Sequence, residues 1–438
     1  MKRIAAALLP LCVAGLTGGA MAATEADVEN SFNPYKAGMP SFPGLKPGTV
    51  INKGNVDQFK DALGAGVYRL IKEGLFEIKV GATTQFSVHK AYVDATRTNL
   101  NKTKLGAKAG DMISGYVAGR PFPEEPDAKD PRAGEKLAWN YKYGVNWGDG
   151  AIISPFYWKY RNMQNGKLEK QIKWDFHFLN FMHRTKDAPV PEFTPNPSGI
   201  FRAIYTKAHE PSDLKNTQLL IQRFEDDAKL DDAYLYLGFQ RRVRRLAQGQ
   251  VTDAFLGSDL MIEDFEGYNG RVSDMSWTYK GTKNVLLPMW NHNELKLADD
   301  MPAEADGYKY VDFAGQGDCF FQGEWQLRKV YVLEAAPVNP NHPVSKRTFY
   351  MDVQLQNLNG ANEIYDRKGE LWKVFMVGKA HADHHLPVNK GAGIGVDDAF
   401  SMVDLQSKHC TTGQFKGQVD PAKNPPRLFQ VQNLRGGD

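Results

Sequence analysis

The chain has 438 residues, with 54 lysines and arginines against 51 aspartates and glutamates, and its formal net charge is +3. A charge this well balanced supplies no global field that would attract nucleic acid or an anionic membrane. Aromatic residues make up 11% of the sequence, so they are expected either in a core or at a binding site.

The N-terminus carries the pattern of a secretory signal peptide. Lys2 and Arg3 form a positive region, residues 4–16 are apolar, and Ala20-Met21-Ala22 fits a cleavage site. Cys12 is not preceded by small residues, so lipidation is not expected. Because the apolar run is too short for a membrane span, the sequence predicts removal of residues 1–22 and a soluble, exported mature protein.

Two cysteines remain after this cleavage, Cys319 and Cys410. In an oxidising compartment an even pair is typical of a disulfide. The alternative is two independent buried thiols. The sequence contains no C-x-x-C motif, which excludes a redox motif or a zinc ribbon.

The N-terminal part of the mature chain combines irregular segments with one helix. Residues 23–54 are predicted to be irregular. Asn55 is a candidate N-cap for a helix over residues 56–73, where apolar side chains recur at helical spacing, and residues 76–80 fit a strand. Residues 115–140 are rich in proline and glycine with interleaved aromatics, which predicts a long ordered loop or lid.

The middle of the chain is patterned for antiparallel strands. Aromatic and polar residues alternate over residues 156–161, Asn165-Gly166 is a strong hairpin turn, and residues 172–182 alternate again. Further strands are predicted over residues 201–208, 218–225, 233–243, 272–279, 329–334, 347–355 and 371–377. This order indicates an α+β fold dominated by antiparallel strands, without the strand–helix alternation of a parallel Rossmann sheet.

These strands would form a sheet with one strongly apolar face. The side chains expected on that face are Phe156, Trp158, Tyr160, Trp174, Phe176, Phe178, Leu235, Leu237 and Phe239. Such a face can pack against helices as an ordinary core, or it can curl into an open half-barrel that holds an acyl or polycyclic ligand. Periodicity alone favours the core.

Four arginines follow the predicted strand that begins at residue 233. Its alternation places Arg241 and Arg245 on the apolar face, so either a bulge breaks the register or acidic residues pair with them. Candidate partners are Glu263, Asp264 and Asp312. The alternative to an ion-paired lock is that one arginine meets a lipid phosphate, a carboxylate or a partner protein.

The segment His381-Ala-Asp-His-His385 offers up to three imidazoles and a carboxylate, which are ligands suited to zinc or copper. It is not H-E-x-x-H, and no nearby cluster supplies a general base. A polar loop is therefore favoured, and no metal or cofactor is predicted. Residues 391–395 have glycines at every second position, which predicts a flexible loop.

Two resemblances to known families are carried by particular segments. Residues 231–265, with a strand, the arginines, a Gly-Ser-Asp turn and Glu263-Asp264, resemble periplasmic outer-membrane lipoprotein-sorting proteins of the LolA/LolB-like superfamily. Four further segments resemble domain-of-unknown-function family 1329: Asn55-Val-Asp-Gln-Phe59, Tyr116-Val-Ala-Gly-Arg-Pro-Phe-Pro123, Asp130-Pro-Arg-Ala-Gly-Glu-Lys-Leu-Ala-Trp-Asn140 and Tyr365-Asp-Arg-Lys-Gly-Glu-Leu-Trp372.

The resemblance implies a large curved antiparallel sheet, an open half-barrel of the LolA/LolB type, capped by helices and long loops. One such domain would span residues 55–408, with the lid at residues 115–140 and a C-terminal tail at residues 409–438. In such folds the concave face accepts lipid, so the resemblance favours a ligand cavity over a plain core. Arg120 and Phe122 would form an exposed gate or docking loop, and Arg241, Arg245 and Asp264 a polar cluster.

The implied function is that of a periplasmic carrier without catalytic residues. It would shuttle a lipid or other hydrophobic ligand between an inner-membrane transporter of the resistance-nodulation-division type and an outer-membrane protein. A soluble shuttle is favoured, since no lipid anchor is expected. The alternatives are an assembly factor that binds protein partners and a metal-dependent hydrolase that uses residues 381–385.

Overall fold

The computed structural model describes residues 22–247, 251–358 and 360–434. Nearly all of the predicted signal peptide lies outside these residues. The α-helices are α1 (Glu25–Phe32), α2 (Ala65–Lys72), α3 (Lys90–Thr98) and α4 (Ala133–Lys142). In the described ranges, no helix combines the length and the apolar character needed to cross a membrane.

Strands account for most of the regular structure. They are β1 (Val50–Ile51), β2 (Ile78–Val80), β3 (Gly150–Asn162), β4 (Leu168–Asn180), β5 (Ile200–Glu210), β6 (Gln218–Phe224), β7 (Asp232–Leu237), β8 (Arg242–Arg245), β9 (Met275–Trp290), β10 (Phe313–Ala314), β11 (Phe320–Phe321), β12 (Glu324–Pro337), β13 (Val344–Asp352), β14 (Ala361–Asp366), β15 (Leu371–His381), β16 (Gly395–Asp404) and β17 (His409–Gln418).

One sheet contains 15 of these strands, and its order is β1-β2-β12-β13-β14-β15-β16-β17-β3-β4-β5-β6-β7-β8, with β9 paired to β12 and β15. Within it the β12–β2 and β15–β9 pairs are parallel, and the other pairs are antiparallel. The predicted α+β class with a large antiparallel sheet is confirmed.

Cross-strand pairs explain why β3 and β4 form a hairpin. Phe156 lies opposite Trp174, and Trp158 lies opposite Ile172, so large apolar side chains meet on one face. Gly166 has φ 71° in the turn, a conformation that glycine adopts without steric cost. The predicted Asn165-Gly166 hairpin is confirmed.

The predicted helix over residues 56–73 is wrong as a single element. A 3₁₀ helix, Val56–Ala62, is followed by α2. Gly64 separates them, and a Cβ there would lie 2.7 Å from the Tyr350 ring. The amide of Gly66 donates to Oε1 of Glu363 at 2.9 Å. The sheet thus binds the first turn of α2, and one continuous helix would lose this contact.

The predicted irregular segment 23–54 contains a helix that was missed. The Thr24 hydroxyl accepts a hydrogen bond from the amide of Asp27 at 3.3 Å, and the Asp27 carboxylate accepts one from the amide of Thr24 at 2.7 Å. This capping box starts α1. Phe32 at its end packs edge-on against Tyr92 of α3.

The predicted C-terminal tail at residues 409–438 is also wrong. Its first part is β17, which pairs with β16 on one side and β3 on the other. Gly413 permits this position, since a Cβ there would lie 2.1 Å from the Phe400 ring. Because residues 409–418 are mostly polar, their pattern does not indicate the strand that they form at the centre of the sheet.

The two faces of the central strands bury separate apolar clusters. On β15, Phe375 and Val377 belong to one cluster, whereas Val374 and Met376 belong to the other. The predicted disulfide between Cys319 and Cys410 is present and lies in the second cluster. The first cluster contains the six aromatic residues of β3 and β4 that the sequence predicts on the apolar face.

Candidate ligand-binding site

The aromatic face lines a half-open cavity of about 50 Å³. Strands β3, β4, β15, β16 and β17 supply most of its walls. The lining residues are Trp147, Ile153, Phe156, Trp158, Phe176, Phe178, Leu260, Phe265, Glu266, Phe375, Val377, Asp397, Phe400 and Phe415. Apart from Glu266 and Asp397, the lining is aromatic or aliphatic, which suits an apolar ligand.

The sequence predicts part of this lining. Phe156, Trp158, Phe176 and Phe178 line the cavity, and each is less than 5% exposed. Tyr160 and Trp174 lie in the same buried cluster but outside the cavity wall. Among the described residues the indole Nε1 atoms of Trp158 and Trp174 have no hydrogen-bond partner.

A segment without α-helix or strand covers the cavity, and we call residues 251–267 the plug. Phe255 and Phe265 of the plug lie with ring centroids 6.1 Å from that of Trp158. Leu260 and Phe265 also line the cavity. The plug therefore fills space over the aromatic face with its own apolar side chains.

One anchor of the plug is Asp259. Its Oδ2 lies 2.7 Å from Nδ1 of His409 and accepts a hydrogen bond from the Thr411 hydroxyl at 2.7 Å. Its backbone carbonyl accepts a hydrogen bond from Nζ of Lys373 at 2.6 Å. The hydrogen bond with Asp259 raises the pKa of His409 above its ordinary value.

The second anchor is the buried guanidinium of Arg347 on β13. It donates to Glu263 and Asp264, each at 2.7 Å, and the imidazole of His342 lies 3.2 Å from Glu263. Burial acts to raise the pKa of Glu263, but Arg347 and His342 outweigh it and lower that pKa. Asp264 was expected to pair with the arginines at 241–245, and its partner is Arg347 instead.

Two ion pairs lie at the cavity. Glu266 accepts hydrogen bonds on Oε1 from Arg202 and Asn146, both at 2.7 Å, and Asp397 pairs with the buried Lys379. Glu266 has φ 57°, a left-handed conformation that is unfavourable for a residue with a Cβ. Its two side-chain partners hold it there.

The remaining predicted cavity residues lie away from this site. Leu235 packs at the margin of the cluster, and Leu237 is half-buried at the end of β7. Phe239 is 70% exposed. The predicted strand 233–243 is in fact a hairpin, in which Arg241 has φ 52° in the turn. Arg245 pairs with Asp232 on the surface, so the register does break.

The two residues predicted to form the gate are buried. Arg120 is 3% and Phe122 7% exposed. The Arg120 guanidinium donates to the carbonyls of Ser31 at 2.8 Å and Gln354 at 2.7 Å, and it lies over the Phe32 ring. The expected exposed loop is thus a clamp between α1 and the turn that follows β13, and the lid segment 115–140 runs into α4.

The three histidines of residues 381–385 do not all lie together, although the rings of His381 and His384 lie edge-on with centroids 5.2 Å apart. His381 stacks on Phe86, and His384 is exposed. His385 turns inward, where its Nε2 lies 3.2 Å from Oδ1 of Asp398. The three histidines that are close in sequence are therefore not a set that the fold brings together.

A buried polar cluster that the sequence did not predict surrounds Asp398. Its carboxylate accepts hydrogen bonds from Trp290 at 2.8 Å and Tyr308 at 2.9 Å, and Nδ1 of His292 lies 2.8 Å away. The candidate ligand atoms of His292, His385 and Asp398 lie within 4.8 Å of one another. Their pairing lowers the pKa of Asp398 and raises the pKa of His292, although burial acts in the opposite direction on each group. Since both imidazoles contact the same carboxylate, the arrangement suits an ion-paired lock.

Several lining residues lie outside the elements that the sequence analysis predicts. Phe400 and Phe415 lie on β16 and β17, which were not predicted as strands, and Leu260 and Phe265 lie in the plug. The alternation of Phe400 and Met402 within residues 395–404 is the signal that would have found β16.

The family described as "Protein of unknown function (DUF1329)" matches residues 50–435. A DUF1329 family protein from Desulfovibrio piger ATCC 29098 is similar in structure, with 17% identity, 70% of this chain and 100% of that chain covered, and a TM-score of 0.47. A putative outer membrane lipoprotein-sorting protein domain from Vibrio parahaemolyticus is 18% identical, with 70% of this chain and 99% of that chain covered and a TM-score of 0.46. A LolA superfamily protein from Nitrosomonas europaea is 11% identical, with 65% of this chain and 91% of that chain covered and a TM-score of 0.36. No curated protein matches the sequence.

Proposed function

This chain belongs to the DUF1329 family of proteins of unknown function, and we propose that it is a periplasmic carrier for a lipid or other hydrophobic ligand. The observation that carries the proposal is the cavity on the aromatic face, where Phe156, Trp158, Phe176, Phe400 and Phe415 converge. Burial of apolar ligand surface there supplies about 25 cal/mol per Å². Binding of this kind requires no catalytic group.

Loading of a ligand involves movement of the plug. The cavity measures about 50 Å³, whereas sites for small molecules usually measure about 300–1,000 Å³. Phe255, Leu260 and Phe265 occupy the space over the aromatic face. When these side chains withdraw, the ligand replaces their contacts with Trp158 and Phe176.

Native mass spectrometry of the mature protein, purified from its own periplasm, tests the proposal. Solvent extraction of the same preparation identifies the bound compound. A carrier should retain a hydrophobic molecule in stoichiometric amount. A clean apo mass under gentle conditions, together with no uptake of added lipids, would contradict the carrier function.

Two substitutions on β15 provide a matched control. Val377 lines the cavity, whereas Val374 lies in the cluster on the opposite face. Val377→Phe should fill the cavity and lower ligand occupancy. Val374→Phe adds the same volume to a core and carries a similar overpacking cost of about 1–3 kcal/mol, but it should leave occupancy unchanged.

The carrier would receive its ligand from an inner-membrane transporter of the resistance-nodulation-division type and deliver it to an outer-membrane protein. The β7–β8 hairpin is the surface we assign to such partners, since Phe239 is 70% and Val243 40% exposed. Phe239→Ser should slow transfer between membranes that contain the two partners and leave ligand occupancy intact.

The same hairpin favours a second candidate function, an assembly factor that binds protein partners alone. Exposed apolar residues beside arginines are typical of protein interfaces. Ligand occupancy distinguishes the two functions. An assembly factor would lose partner binding in Phe239→Ser and would hold no hydrophobic ligand in either form.

A further inference from the structure

The charges at the cavity constrain the ligand. Within the described residues, the ionisable side chains in the cavity wall are Glu266 and Asp397. Each has a cationic partner: Arg202 contacts Glu266 at 2.7 Å, and Lys379 pairs with Asp397. These two ion pairs leave no net charge at the wall.

The Glu266 end also has spare hydrogen-bonding atoms. Nε of Arg202 and Oδ1 of Asn146 are buried and have no partner among the described residues. Arg202 and Asn146 both donate to the same carboxylate oxygen of Glu266, so a spare donor and a spare acceptor lie on the two side chains that contact this carboxylate, whereas Glu266 itself lines the cavity wall. A neutral group that donates a hydrogen bond can reach the carboxylate of Glu266 from the cavity without adding a charge.

From these observations, and resting on the carrier function proposed above, we propose that the enclosed part of the ligand is uncharged. It is an apolar body with a neutral polar group, of which a hydroxyl is the simplest, and this group donates a hydrogen bond to Glu266 at the cavity wall. An anionic group would bring an unpaired charge next to an ion pair that is already balanced, and burial of an unpaired charge is strongly unfavourable.

Three ligands of equal chain length test this preference: dodecanol, dodecanoate and dodecylammonium. Trp147 and Trp158 line the cavity, so a change in tryptophan emission reports binding directly. We expect dodecanol to bind about tenfold or more tightly than either ion at a pH where both are charged. Equal or tighter binding of dodecanoate or dodecylammonium would overturn the inference and leave the carrier function standing.

Glu266→Gln sharpens the test because it leaves Arg202 without its anionic partner. The cavity end then gains a positive charge, and the preference should shift from dodecanol towards dodecanoate. Asp253→Asn is the matched control, since it removes a negative charge from an exposed position in the same plug. A Glu266→Gln protein with an unchanged preference would refute the assigned polar end.

The comparison of the three ligands on the unaltered protein does not depend on whether the variant folds. If none of the three ligands binds the unaltered protein, and no lipid co-purifies with it, the carrier function itself fails and the inference fails with it.

Discussion

Nδ1 of His409 lies 2.7 Å from Oδ2 of Asp259, and this contact ties the plug to β17 at the centre of the sheet. The partner on the plug is a carboxylate, and the partner on the sheet is an imidazole, which loses its proton as the pH rises. The pKa of His409 is raised above 6.5 by this hydrogen bond. The strength of the anchor therefore depends on pH.

The plug should open more readily as the pH rises. Because the pKa of His409 is raised in the folded protein, its stabilising contribution is complete below 6.5 and is lost as the pH rises through the raised pKa. Hydrogen exchange between about pH 6 and about pH 9, corrected for intrinsic rates, should show falling protection of residues 251–267.

His409→Gln should weaken this pH dependence. The control is His209→Gln, because His209 contacts Asp175 on another part of the sheet, at 2.6 Å. Protection of the plug that stays constant with pH in the unaltered protein would contradict the proposed anchor.

Phe265→Ala should enlarge the cavity. Phe265 is 6% exposed and lines the cavity, so its removal should lower the free energy of unfolding by about 3–5 kcal/mol. The same change should increase uptake of apolar ligands, because the freed volume adjoins Trp158. Urea denaturation and tryptophan fluorescence titration measure the two effects.

Phe429→Ala is the matched control for cavity enlargement. Phe429 is 1% exposed but belongs to a separate cluster. The Phe429→Ala substitution should lower the free energy of unfolding by a similar amount without increasing ligand uptake. Equal gains in both variants would indicate nonspecific binding to loosened cores.

The sequence predicted the β3–β4 hairpin and its aromatic face because apolar residues alternate there with period 2 and the turn residues are distinctive. It did not predict β17, whose polar residues Thr411, Thr412 and Gln414 are buried between two neighbouring strands. Such a strand forms because it pairs with neighbouring strands in the fold, and local composition does not indicate that pairing.

The candidate site was likewise predictable only in part. Four wall residues come from the patterned hairpin, whereas the plug follows no period and its location depends on long-range ion pairs. Arg347 binds Asp264 across 83 positions of sequence. Several arginines nearer to Asp264 in sequence were equally plausible partners, so sequence alone had no basis for this choice.

Asp398→Asn should destabilise the fold. Asp398 is fully buried and contacts both His292 and His385, so the change breaks this buried carboxylate–imidazole cluster and costs about 3–5 kcal/mol. The control is Asp404→Asn on the same strand, where the carboxylate accepts a hydrogen bond from Trp372 at 2.9 Å. Urea denaturation should show a smaller loss there, about 1–2 kcal/mol. Equal losses would argue against the ion-paired lock.

Removal of the disulfide should lower stability but not ligand affinity. The bond joins residues 91 positions apart, and closure of a loop of this length is worth about 4–5 kcal/mol in the chain-entropy treatment. The two cysteines lie on the face opposite the cavity. Thermal unfolding of the Cys319→Ser/Cys410→Ser protein and its dodecanol titration measure the two properties, and weakened binding by the folded protein would contradict this separation.

Arg120→Met distinguishes a clamp from a gate. The buried guanidinium of Arg120 donates to two backbone carbonyls, so its loss should lower the free energy of unfolding by about 2–4 kcal/mol. If the residue is a clamp, the folded fraction should bind and retain ligand as the unaltered protein does. Arg97→Met, which breaks partly exposed ion pairs with Glu25 and Glu29, is the control and should change stability by about 0–1 kcal/mol. Faster ligand release from folded Arg120→Met, measured by stopped-flow tryptophan fluorescence, would instead restore the gate hypothesis, because a clamp remote from the cavity wall has no direct means to change release.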